Sequence, residues 1–220
     1  MQKFDTTAPI AAVVTVPAGR VHFVAADRAD ATVEVLPVDA GKGRDVKAAE
    51  QVAVAYADGV LKIESAAKSS AFGSSGAVAV TVHLPAGSRV EGKAEAAELV
   101  TEGPLGEVAF EGAYKHITVD QAAGLRLKAT DGDIEIGRLN GPAEIATARG
   151  DIRIAEAVAG TVVLRTQSGS ISVTAAHGAS ASLDAETPNG RISNALKNDG
   201  TPGLEIKATT SNGDITARSL

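Results

Sequence analysis

An isoleucine or leucine returns seven times along this chain: Leu99, Ile117, Ile134, Ile152, Ile171, Ile192 and Ile215. The steps between them are 18, 17, 18, 19, 21 and 23 residues. Self-similarity at such a period means that one supersecondary unit has been copied and stacked, which limits the fold more than any other property of the sequence.

Each clear copy turns on a glycine two residues before the repeated isoleucine: Gly132, Gly150, Gly169, Gly190 and Gly213. Asp131, Arg149, Ser168, Asn189 or Asn212 precedes it, and Asp133, Asp151, Ser170, Arg191 or Asp214 follows. Such pairs are turn signals, because glycine accepts positive φ without a steric penalty. The flanks alternate with period 2. Upstream the apolar set includes Leu125-Leu127-Ala129, Val162-Leu164-Thr166 and Ile206-Ala208-Thr210; downstream it includes Ile134-Ile136, Ile152-Ile154 and Ile192-Asn194. The residues between are mostly charged or small and polar, so each unit reads as strand, turn, strand with one buried face. Two weaker copies precede these, one with Lys115 and one with Ala97 where glycine is expected. Thr147, Thr166, Thr187 and Thr210 each stand three residues before the turn, a spacing that stacking turns into a ladder.

Two architectures share this local pattern. A meander of hairpins would use the same turn cue. A solenoid would use it as a corner, with each copy a rung about 4.8 Å from the next, so that like sits on like. The repetition of residue type at fixed places favours an all-β, single-stranded β-solenoid (β-helix), in which the leucine and isoleucines form a stacked core. Residues 90–220 hold about seven repeats, and residues 1–89 read as an N-terminal β region that caps or continues the stack, with strands at 12–16, 21–25, 32–36, 52–56, 60–64 and 78–84. Gly41-Lys42-Gly43-Arg44-Asp45 reads as a solvated hairpin, and segment 69–76, rich in serine and glycine, as a loop.

The line Val80-Thr81-Val82-His83-Leu84-Pro85-Ala86-Gly87-Ser88-Arg89-Val90, followed by serial Gly-Asp-Ile units, resembles a large bacterial family of unknown function labelled "putative adhesin" or β-strand repeat-containing. Phe4-Asp5-Thr6 and Ala25-Ala26-Asp27-Arg28 look like its actinobacterial members. The resemblance covers essentially the whole chain. It implies a β-helical fold, and it supplies no catalytic residues to carry over. The corner at Lys115-His116 departs from the family's usual Gly-Asp.

Chemistry is sparse. Aromatic residues are 3% of the chain, without tryptophan, and the formal net charge is −6. This opposes a phosphate-tracking basic surface, so no nucleic-acid partner is expected. No cysteine is present, which removes disulfides and thiolate metal sites. Asp131, Asp133, Asp151 and Asp214 suggest a carboxylate stripe for Ca²⁺, but Ser170 and Arg191 interrupt it, and turn chemistry within each corner explains the acids. His22, His83, His116 and His177 lack ligand spacing. No phosphate-loop or nucleophile-elbow motif occurs, and no cofactor, metal or small-molecule ligand is indicated.

The reading is therefore a non-enzymatic module that binds a protein partner. The alternatives are a self-assembling scaffold of stacked β-helices and an exported adhesin. Tyr114, Lys115 and His116 form the one irregular corner and are the candidate partner spot. No stretch approaches the ~20 apolar residues of a membrane-spanning helix. The start of the chain makes a poor signal peptide, so a cytoplasmic setting is expected.

Overall fold

The structure, a computed structural model, describes residues 1–65 and 76–220, without the side chains of 113–115. Segment 69–76 falls outside it except for Gly76. The N-terminal part contains β1 (Gln2–Asp5), β2 (Ala11–Ala26), β3 (Asp30–Pro37), α1 (Gly43–Glu50), β4 (Val52–Ala57), β5 (Val60–Ser65) and β6 (Val78–Pro85). The long β7 (Arg89–Ala129) then turns through successive rungs. After it come β8 (Ile134–Leu139), β9 (Ala143–Arg149), β10 (Ile152–Ala157), β11 (Gly160–Ser168) and β12 (Ile171–Ala175). The last four are β13 (Ala181–Glu186), β14 (Ile192–Ala195), β15 (Leu204–Asn212) and β16 (Ile215–Ser219).

Pairing from β7 onward is parallel. One wall runs β7-β8-β10-β12-β16-β14 and the other β7-β9-β11-β15-β13. Hairpins would pair antiparallel, so the molecule is a solenoid and not a meander. The register aligns the repeat: Ile117 with Ile134, Ile134 with Ile152, Ile152 with Ile171, Ile171 with Ile215, and Ile215 with Ile192. Leu99 pairs with Val21 of β2, which belongs to the same stack. Both walls turn their alternate apolar residues inward, and Leu99, Ile117, Ile134, Ile152, Ile171 and Ile215 are fully buried.

The pairing contains an inversion. Rung 204–219 lies between rung 160–175 and rung 181–195, although it follows both in the chain. Ile192 is therefore on the end rung and 48% exposed, which corrects its assignment to the sealed core. Asn194 gives the physical reason. It occupies the inward column of Val173 and Ala217, where an unpaired amide would cost about 1–3 kcal/mol if enclosed. At the end it is exposed, and its Oδ1 accepts the Leu196 N–H at 3.0 Å.

A similar insertion occurs near the other end. β2 lies between β7 on one side and β5 and β6 on the other, all parallel to it. Antiparallel strands follow outward: β4 on β5, β3 on β6, and β1 on β3. The glycine-rich segment at 41–45 is not a hairpin but leads into α1, which packs against β3 and β6. Helix formers from Lys47 to Glu50 favour this, Ala48 joins the core, and the buried Asp45 carboxylate accepts the Ala77 N–H at 3.0 Å.

Candidate interaction surface

The corners carry two interlocked ladders. In the first, a side-chain acceptor just after each glycine takes the backbone N–H of the adjoining rung. Asp133 accepts from Asp151 at 2.8 Å, Asp151 from Ser170 at 2.7 Å, Ser170 from Asp214 at 3.3 Å, and Asp214 from Arg191 at 2.9 Å. In the second, threonine hydroxyls donate to glycine carbonyls next door: Thr166 to Gly150, Thr210 to Gly169, and Thr187 to Gly213. Thr147 instead donates to the Arg149 carbonyl at 3.0 Å. The acidic corners thus join rungs, where turn chemistry within each corner was expected.

Gly132, Gly150, Gly169 and Gly213 take positive φ of 118°, 129°, 152° and 150°. At Gly150 a Cβ would drive into the Gly132 carbonyl, so close rung contact and conformation both demand glycine. Gly190 lies outside the left-handed region, yet its Cβ would strike the Gly213 carbonyl. Here glycine is needed for approach rather than for φ.

Of the expected partner spot, the Tyr114 and Lys115 side chains lie outside the described residues. His116 Nε2 sits 3.8 Å from Glu135. His22 Nε2 is 3.1 Å from Glu102, while His83 and His177 are elsewhere on the surface. Among the described residues no three metal-ligating side chains gather.

An open groove of about 550 Å³ lies on the outer face of β2, β7 and β9. Its floor contains the half-buried Val13, Ala109 and Ala146, short apolar groups at outward positions that neighbouring rungs fill with charge. Lys93 and Lys128 both approach Glu111, at 3.8 and 3.5 Å, and Glu144 lies 3.5 Å from Arg165. Arg126 lines the groove, is exposed, and has no carboxylate partner among the described residues.

The family model described as Toastrack DUF4097 matches residues 11–218. The chain belongs to that family. Similar solved structures include a putative cell adhesion protein from Clostridium sporogenes, at 10% identity and TM-score 0.41, covering 100% of this chain and 98% of that one. A putative adhesin from Bacteroides fragilis matches at 10% identity and TM-score 0.41, over 98% and 95% of the two chains. One from Parabacteroides merdae matches at 10% and 0.40, over 100% and 93%. Among curated proteins, none matches.

In this Toastrack chain no described helix is long and apolar enough to cross a membrane. The groove was not singled out from the sequence. Its signal was present as Val13, Ala109 and Ala146 at outward positions of otherwise polar alternation, but one small residue per strand looks like ordinary surface until rungs align them.

Proposed function

We propose that this Toastrack protein is a non-catalytic interaction module whose outer groove receives an extended segment of a protein partner. The observation that carries this is Arg126, without a carboxylate partner among the described residues, beside an apolar floor and flanked by charges of both signs. Such a groove suits a chain that lays small apolar side chains over Ala109 and Ala146 and offers a carboxylate to the guanidinium. The interlocked corner ladders support it, because a backbone held at every rung loses little entropy on docking.

The domain reading goes with this proposal. Residues 1–89 close one end through antiparallel β3 and β4, and residues 90–220 carry the regular rungs. A self-assembling scaffold is the weaker reading, because Arg191 stands on the end rung where earlier corners hold an acceptor. An exported adhesin would use the same groove toward a partner outside the cell. With no cysteine, the fold needs no oxidising compartment.

The test is affinity capture with the intact chain, Ala109→Arg, Arg126→Glu and, on the opposite wall, Thr118→Arg. The expected result is a protein retained by the intact chain and by Thr118→Arg but lost from both groove variants. Equal capture by all four would overturn the groove assignment.

A further inference from the structure

Chain order and stacking order part company at rung 204–219. β15 is hydrogen-bonded to β11 on one side and β13 on the other, and β16 to β12 and β14. The rung fills a slot between rung 160–175 and rung 181–195. Those two rungs are matched in register through it: Val162 faces Ile206, which faces Leu183, and Ile171 faces Ile215, which faces Ile192. The corner bonds enforce the same alignment. Thr210 donates to Gly169 at 2.8 Å on one side, and Asp214 accepts from Arg191 at 2.9 Å on the other.

The occupant must therefore present apolar groups where Leu204, Ile206, Ile215 and Ala217 are buried, a threonine three residues before a glycine, and an acid after it. That specification is a copy of this chain's own segment. Its connection to rung 181–195 is the tether 196–203, which is exposed except for the half-buried Leu196 and Pro202. The tether folds on itself and on the end rung: Asp199 accepts from the Thr201 N–H at 3.0 Å and from the Ser180 hydroxyl at 2.6 Å. It meets the slot only at its ends: Gly203 accepts the Gly160 N–H at 2.8 Å and donates to the Ser180 carbonyl at 3.0 Å, and the Lys197 N–H donates to Ser219 Oγ at 2.9 Å.

We propose that rung 204–219 is exchangeable between molecules, so that a second copy of this chain fills the slot of the first and receives its rung in return. Every strand pairing of β15 and β16 inside the slot is the same in the closed and the exchanged form, and the two differ in the path of the tether, in the Lys197–Ser219 bond and in association entropy. Local opening of one rung, short of global unfolding, is the step required.

The chain has no cysteine, so a lock can be placed cleanly. Arg165 and Thr209 face each other across the slot on exposed positions. The variant carrying both Arg165→Cys and Thr209→Cys would tie the rung to its own molecule when oxidised and free it when reduced. Ser168→Cys with Asn212→Cys is a second lock at the next exposed paired position. Two differently tagged preparations of the full chain are mixed at high concentration in mild denaturant, returned to buffer and captured through both tags in turn. The expected result is mixed dimers from reduced protein and none from either lock once oxidised, as verified by loss of free thiol. Absence of mixed dimers from reduced protein, or equal amounts from locked protein, would overturn the proposal.

Discussion

Asp214 accepts the backbone N–H of Arg191 at 2.9 Å, although Arg191 lies 23 residues earlier in the chain and one rung further out in the stack. The bond locates the end of the acceptor ladder. Asp133, Asp151, Ser170 and Asp214 each receive a neighbour's N–H, and Arg191, 91% exposed at its side chain, has nothing with which to receive another. Asn194 adds a polar group to the inward column of the same rung. Cation and amide together blunt a sheet edge that would otherwise invite pairing.

Removing that protection makes the end receptive. A chain carrying Arg191→Asp and Asn194→Val restores both the acceptor and the apolar column. Its mass by light scattering is expected to climb with concentration, while the unmodified chain stays constant under the same conditions. A constant mass for the variant would mean that the end is closed by something other than these two side chains.

The inversion also makes two equivalent repeat positions unequal. Ile152→Asp buries an unpaired carboxylate between full rungs and is expected to destabilise by more than about 4 kcal/mol. Ile192→Asp places the same charge on the half-exposed end rung and is expected to stay within about 1 kcal/mol of the parent. Thermal melts followed by circular dichroism compare the two directly, and similar losses would show that rung 181–195 is not terminal.

At the corner between Asp131 and Asp151, adjacent residues should behave oppositely. Gly150→Val combines positive φ with a collision against the Gly132 carbonyl, so a loss of about 3 kcal/mol or more is expected. Arg149→Ala removes an ion pair to Asp131, 2.6 Å long but on a side chain 65% exposed, and is expected to change stability by about 0–1 kcal/mol. Urea denaturation midpoints measure both.

Asp30 joins the start of β3 to β1. Hydrogen bonds from Arg28, at 2.7 Å, and then from Lys3, at 3.2 Å, hold its carboxyl at about 2, below the ordinary 3.8. A lowered folded value favours the native state above the ordinary value, and this contribution disappears as pH falls from about 3.8 toward 2. Asp30→Asn should therefore flatten the pH dependence of stability in that window and leave its shape above pH 5 unchanged. An unaltered acid limb would show that the three-residue cluster does not survive in solution.

Much of one rung was legible in the sequence. Alternation along Val162-Leu164-Thr166 and Ile152-Ile154, and a Gly-Asp or Gly-Ser corner between strands, are local properties, and burial, turn geometry and wall assignment follow from them. α1 was missed because two glycines and a lysine at 41–43 read as a loop, and the helix depends on Asp45 reaching Ala77, 32 residues away. The groove was missed because Ala109 and Ala146 become neighbours of Val13 and Arg126 only when rungs stack.

The sequence by itself determined the repeating unit, its inward residues and the identity of its corners. The tertiary structure decided the order of the units. Rungs with matching outlines offer one another interchangeable hydrogen bonds, so adjacency in the chain does not dictate adjacency in space. The choice falls to burial: the rung with Ile206, Ile215 and Ala217 gains most from two covered faces, and the rung with Asn194 loses least from one left open.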